Sequence, residues 1–417
     1  MPRLRGDTGL PARYRAVLGL PGTAGFFAAA AVARLGVAMT PLSVLWAVRG
    51  ATGSFAAAGV TTAAFAVAEA IAGPQVARLV EEHGQRRVLP WSAGVFVLAA
   101  AALIAAAWLG LPLAPLAALA MLAGASVPQV GALSAARWRP AVRSREQAGA
   151  ALSLEAAVND VTHLGGPILV SAASAVLYPA AGLTLAAGLV AAGLTAFLWQ
   201  RRSEPPTQPR SAIGHRRLVD RRLLTPAVIT LFGLNLALGF FFGAVPVTLT
   251  AFAFAHQAPA LAGPIAAVSS LTSLTAGLVY GARGGRRQPM TVILLASSFL
   301  TVGTAALCFA ASVPAMFAGY AVVGAAIAPI LIPAALLLQH ATEPAVYTQA
   351  TTWMNSASAA GIAVAAPLAG LAVQDGGWRL GFVAAAALTA TLPAIAGAAR
   401  ARSGGCPGVT DRPHGAR

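Results

Sequence analysis

Twelve apolar runs, each of about 20 to 30 residues, follow one another along this chain, interrupted only by short segments carrying Arg, Pro or Gly. About 20 apolar residues in helical form cross the hydrocarbon core of a bilayer. Lipid offers no partner for open backbone groups, so such runs fold as helices. They fall at 21–47, 54–79, 88–110, 113–135, 150–176 and 180–200, and again at 225–254, 261–282, 289–311, 314–338, 350–373 and 378–399. A polar stretch from Arg201 to Arg222 divides them into two sets of six. The expected architecture is an all-α integral membrane protein of twelve transmembrane helices in two six-helix bundles. Its expected layout is an N-terminal bundle over 1–200, a cytoplasmic linker over 201–224, a C-terminal bundle over 225–400 and a cytoplasmic tail over 401–417. Only 10% of the residues are charged, against about 25% in soluble domains.

Charge placement sets the orientation. All 28 basic residues are Arg, and 25 of them fall in segments that lie on one side if both termini are cytoplasmic. Short cytoplasmic loops hold the positive excess, so the chain reads as a multi-pass protein of the cell inner (plasma) membrane with both ends inside. The first 20 residues are basic and lack a small-residue cleavage pattern, so they read as a lead-in to the first span. The net charge of +16 follows this topology and does not call for a nucleic-acid partner. Without Lys there is no P-loop lysine and no Schiff-base lysine. Cys308 and Cys406 have no metal or redox spacing. No enzyme, cofactor or metal site is expected.

The two sets of runs share a register of about 200 residues. The segment 277–287 aligns with 77–87, Gly324 with Gly124 and Pro367 with Pro167. Internal repeats of this kind are common in transporters.

The loop after the second run carries the most specific pattern. Ala77, Glu81, Glu82, Gly84, Gln85, Arg86 and Arg87 stand where a major facilitator superfamily loop reads G-x-x-x-D-R-x-G-R-R-R/K. Together with the twelve runs and their repeat, this resembles that superfamily, over essentially the whole membrane region. The resemblance implies two pseudo-symmetric bundles around a central substrate path, with Glu81, Gly84, Arg86 and Arg87 acting in gating. A second implied element lies in the fifth run, where Gly165-Gly166-Pro167 matches part of the antiporter pattern G-x-x-x-G-P-x-x-G-G. Gly166 and Pro167 are accordingly expected to act in conformational change. In the fourth run, Gln129 and Gly131 stand without the Arg found in drug/proton exporters of the family.

Ionisable residues inside spans face a cavity or a partner. Arg34 and Glu69 lie at similar distances from the first hairpin turn near Thr52 and are expected to pair, either as a fixed clamp or as a proton site. In the fifth run Glu155, Asn159 and His163 form an i, i+4, i+8 stripe flanked by Asp160. They read as a proton relay or, for Glu155, as a partner of Arg143 or Arg145. Asn159, Asn235, Asn355 and Trp353 are candidate substrate-path residues, with Phe240, Phe241, Phe242 and Pro246 as a candidate apolar wall. The expected function is secondary active transport by alternating access: export of a small amphipathic or hydrophobic molecule in exchange for protons. The alternatives are a metabolite or sugar importer working by proton symport, or a non-transporting sensor on the same scaffold. The expected partners are the substrate, protons and the lipid bilayer, with the protein acting as a monomer.

Overall fold

The computed structural model describes residues 10–204, 221–282, 288–342 and 347–404. Among them there is no strand. In the first half α1 (Leu10–Leu18) leads into α2 (Thr23–Thr52), α3 (Phe55–His83), α4 (Gln85–Trp108), α5 (Leu113–Ser126), α6 (Val130–Ala141), α7 (Arg145–Val176) and α8 (Ala181–Trp199). The second half holds α9 (Pro226–Ala255), α10 (Ala262–Ala282), α11 (Pro289–Ala306), α12 (Val313–Gly324), α13 (Ile327–Ala341), α14 (Tyr347–Thr389) and α15 (Thr391–Gly404).

These elements resolve into twelve crossings. α5 and α6 form one span broken around Pro128, and α12 and α13 another broken just before Pro329. In each case the ring removes a backbone donor and collides with the carbonyl four residues back. α14 runs from Tyr347 through a sharp bend at Gly376 and Gly377, where Gly377 takes φ 69 and ψ −171, a conformation open to Gly. The chain reverses there. Gly239 of α9 lies against Ser358 and Gly361 before the bend, and Thr248 lies against Gly381 after it. α7 is the most polar crossing, a 32-residue helix whose Ser144 side chain accepts a hydrogen bond from the Gln147 N–H at its start.

The 200-residue register is visible in the fold. α5 begins at Leu113 and α12 at Val313; α6 ends at Ala141 and α13 at Ala341. Gly124 packs against the Phe65 carbonyl of α3, and Gly324 against the Ser269 carbonyl of α10. With no hydrophobic drive between helices in lipid, close backbone approach at small residues supplies much of the packing.

The halves meet at one end. Gly59 of α3 lies on the Ala366 carbonyl of α14, Gly370 on Phe55, and Gly263 on the Pro167 carbonyl of α7. Ser54 donates to Gln374 at 3.0 Å. The rings of Trp46 and Phe254 sit 5.0 Å apart, and the Arg49 guanidinium lies over Phe55 and Phe254 at 5.0 and 4.7 Å. All of these contacts lie on the Arg-poor side.

A Cβ at Gly124 would sit 2.1 Å from the Phe65 carbonyl oxygen, whereas one at Gly94 meets nothing within 4 Å. Gly124→Val is therefore expected to destabilise by about 1–3 kcal/mol through overpacking, while Gly94→Ala is neutral or stabilising through helix propensity. Thermal unfolding of the two purified variants in detergent checks the difference.

Candidate functional site

A cavity of about 850 Å³ lies between the halves. From α2 it takes Ala38, Pro41, Leu42 and Leu45, and from α3 Thr62, Ala66, Glu69, Gly73 and Ala77. Along α3 the wall therefore continues to the residue beside Arg78, so the space extends toward the Arg-rich side. The opposite face includes Phe242, Pro246 and Thr250 of α9, Tyr320 of α12, and Asn355 and Ile362 of α14. His163 and Pro167 of α7 complete it.

Arg34 does not pair with Glu69 as the sequence suggests. It forms an ion pair with Glu155 of α7, and both side chains are about nine-tenths buried. Arg34 also donates to the backbone carbonyls of Glu155 and Gly131, each at 3.2 Å. The second Glu155 oxygen accepts from the Ser134 hydroxyl and the Trp138 indole N–H, each at 2.6 Å. Every close partner of the pair lies inside the first half. Distance from the hairpin turn fixes the height of a residue but not its bearing around the helix, and Arg34 faces α6 and α7 while Glu69 faces the cavity. Of the two arginines expected as partners of Glu155, Arg143 is exposed, and the Arg145 side chain lies outside the described residues.

Glu69 is thus left with an uncharged neighbour. The Gln129 amide stands in hydrogen-bonding position to its carboxylate. Gln129 is placed there by the break between α5 and α6, and it also rests on Gly73, one turn along α3.

The polar stripe of α7 divides. Glu155 turns into the first half, His163 lines the cavity, and Asn159 and Asp160 are exposed. The His163 Nδ1–H donates to the Asn159 carbonyl at 2.8 Å, which leaves Nε2 as its remaining polar atom. Asp160 lies one turn nearer the Arg-rich end, on the helix face of His163 and Pro167. Gly166 is buried against Met39 of α2. Asn355 lines the cavity. Trp353 is exposed outside the cavity lining, and Asn235 is buried with its amide donating to the Leu231 carbonyl at 3.1 Å. Of the three consecutive phenylalanines only Phe242 reaches the cavity wall.

At the Arg-rich end Gly84 adopts φ 87 between α3 and α4, the turn expected of it, and Arg86 and Arg87 are exposed. The Glu81 side chain and residues 283–287 lie outside the described residues. The largest departure from the sequence reading is Arg137, which counts there as a loop charge. α6 continues past the apolar run and buries it completely. Its Nε donates to Gln85 at 2.8 Å; Nη1 donates to the Phe197 and Gln200 carbonyls and to Ser203 at 2.9, 3.1 and 3.0 Å. Its guanidinium lies 3.6 Å over the Phe197 ring. The carbonyl end of α8 supplies partial negative charge for this cation. Beside it, the Arg86 N–H donates to Glu204, just beyond α8, at 3.2 Å.

The sequence profile of the Major Facilitator Superfamily matches residues 26–311, more than half of the chain. The chain belongs to the Major Facilitator Superfamily. It is therefore a multi-pass membrane transporter of a small-molecule substrate. Solved superfamily structures share its fold at low sequence identity. A mutant of the nucleoside transporter NupG superposes with a TM-score of 0.72 at 13% identity, over 90% of this chain and 99% of that one. An auto-inhibited POT family peptide transporter gives 0.69 at 12% identity, over 91% and 96%. A bacterial homologue of the iron transporter ferroportin, in an inward-facing state, gives 0.67 at 14% identity, over 90% and 98%. A comparison with curated protein sequences finds no match.

Removing one member of a buried ion pair strands the other, at a cost of about 3–5 kcal/mol. Glu155→Ala is expected to lower the unfolding temperature of this superfamily member strongly, and the double variant Arg34→Met, Glu155→Met to recover most of the loss. Glu69→Gln, which strands no charge, leaves it nearly unchanged. Thermal unfolding in detergent reads all three.

Proposed function

We propose that this superfamily member exports a small amphipathic or hydrophobic molecule from the cell in exchange for protons, by rocking two bundles about the central cavity. The single observation that carries this reading is Glu69: a carboxylate on the wall of the inter-half cavity with no basic partner among the described residues. Such a group in a lipid-embedded site is neutralised by whatever enters, and a proton is the simplest occupant. His163, also on the cavity wall, adds a second proton-accepting atom at Nε2.

The moving units in this reading are residues 1–200 and 225–400, joined by the linker 201–224 and followed by the tail 401–417. Taking the Arg-rich side as cytoplasmic, the structure corresponds to an inward-facing state of a plasma-membrane protein with both termini inside, working as a monomer. Its outer seal is the cluster of Arg49, Phe55, Trp46 and Phe254 together with the crossings at Pro167 and Pro367. Those prolines occupy matching positions 200 residues apart, each with its α7 or α14 backbone against a glycine of the other half, which suits them to pivot points. On the inner side, Gln85, Arg137 and Glu204 tie the loop of Gly84, Arg86 and Arg87 to the start of the linker. That tie makes the first half and the linker move together.

An apolar lining supports a hydrophobic solute over a sugar. Leu42, Leu45, Phe242, Val247 and Ile362 face the cavity, and the hydroxyls of Thr62 and Thr250 already donate to carbonyls of their own helices at 2.8 and 2.7 Å.

Proteoliposomes with an imposed pH gradient test the proposal. Wild-type protein is expected to move a fluorescent amphipathic solute against its gradient while protons flow the other way, and Glu69→Gln to lose the uphill component at least ten-fold. Uphill movement that Glu69→Gln leaves unchanged would remove the proton role given to this carboxylate.

A further inference from the structure

The charges around the cavity define what it accepts. Among its described lining residues Glu69 is the single carboxylate, and none is Arg. The groups facing it from each neighbouring element are accounted for. On α2, Arg34 is held by Glu155 of α7 and does not line the cavity. At the break before α6, Gln129 is neutral. On α7, His163 lines the cavity, while Asp160, one turn nearer the Arg-rich end, is exposed and outside its lining. α12 presents a Tyr320 phenol and α14 an Asn355 amide. The arginines nearest along α3 and α4 are Arg78, Arg86 and Arg87, exposed at the cytoplasmic-type rim. Around this carboxylate the wall is apolar, and the Phe242 ring gives it an aromatic surface of the kind that attracts cations. The cavity, at about 850 Å³, lies within the range that encloses drug-sized ligands.

We propose that the cavity binds a monovalent lipophilic organic cation, whose positive charge sits against Glu69 in place of the proton that otherwise occupies it. This rests on the transporter reading and assigns its substrate class. One carboxylate holds either a proton or one positive charge, so the two occupants exclude each other. Entry of the cation with Glu69 protonated releases one proton, and the net charge of the site is the same before and after. The apolar walls supply the affinity by taking up the ligand's hydrocarbon surface, and the negative field of Glu69, focused by the apolar walls, selects its sign.

The test is binding of tetraphenylphosphonium to the purified full chain in detergent, by equilibrium dialysis across pH 5 to 9, with protons released followed by an indicator dye. Tetraphenylborate, of the same shape and opposite charge, is the control. The expected result is tetraphenylphosphonium binding that tightens up to ten-fold per pH unit over the interval where Glu69 titrates, with about one proton released per ligand there. Tetraphenylborate is expected to bind at least ten-fold more weakly. Glu69→Gln should lose the proton release and at least ten-fold in affinity at high pH, Glu69→Asp should keep the release with weaker binding, and His163→Gln should keep both. An unchanged unfolding temperature for each variant shows that the site is folded.

The inference is overturned if tetraphenylphosphonium does not bind, if tetraphenylborate binds as well, or if the released proton follows His163 instead of Glu69. The transport reading fails separately. Binding with proton release but no flux in proteoliposomes would sink transport and leave the binding class standing. Uphill flux of a neutral or anionic solute, indifferent to Glu69, would do the reverse.

Discussion

The ion pair between Arg34 and Glu155 sets the electrostatics of the whole cavity. A guanidinium inside a membrane-embedded bundle is costly unless its charge and its donors are matched, and here a carboxylate and two backbone carbonyls meet it within the first half. Because that match is internal, Arg34 contributes no counter-charge to the space between the halves. Glu69 is left facing the cavity with only the Gln129 amide beside it. Had Arg34 turned toward α3, the cavity would hold a closed salt bridge and offer nothing for an ion or a charged solute to neutralise.

The same economy of charge appears at the Arg-rich end. Arg137 is fully buried, yet its Nε finds Gln85, its Nη1 finds the carbonyls of Phe197 and Gln200 and the Ser203 hydroxyl, and its flat face finds the Phe197 ring. Each buried arginine of the first half is thus a fastener between helices of one bundle. Among the described residues, contacts between bundles are of another kind: small residues against backbone, aromatic rings, the Arg49 guanidinium over Phe254, and a hydrogen bond from Ser54 to Gln374. Contacts of that sort strand no charge when they separate, which suits a surface that must open and close.

Much of the fold was legible in the sequence because lipid imposes a length and a composition on every crossing. The apolar runs and the register linking Pro167 to Pro367 and Gly124 to Gly324 each correspond to a feature of the structure. Breaks within spans were less legible. Pro128 and Pro329 interrupt their helices, while Pro41 and Pro246 sit inside continuous ones. The difference lies in tertiary packing, which one sequence does not display. For the site, height along each helix was legible and bearing around it was not. The sequence reading singled out Arg34, Glu69, Glu155 and His163 as candidates and joined Arg34 to Glu69, where the structure joins it to Glu155. Gln129 was noticed only for the Arg missing beside it, and Tyr320 was not singled out. Arg137 was counted among the loop charges, although the apolar Trp138 directly after it and Val142 four residues beyond that were a signal that the helix continued past the apolar run.

Whether Glu69 governs the movement of the two bundles is measured most directly by electron–electron distance spectroscopy on spin-labelled pairs in lipid nanodiscs. One pair at Arg86 and Gln288 spans the Arg-rich ends of the halves, and another at Ala51 and Asp375 spans the Arg-poor ends; all four positions are exposed. The expected result is that lowering the pH lengthens one distance as it shortens the other, and that Glu69→Gln holds a single distribution at every pH. Two distances that never change in opposition, or a full pH response surviving in Glu69→Gln, would contradict the account.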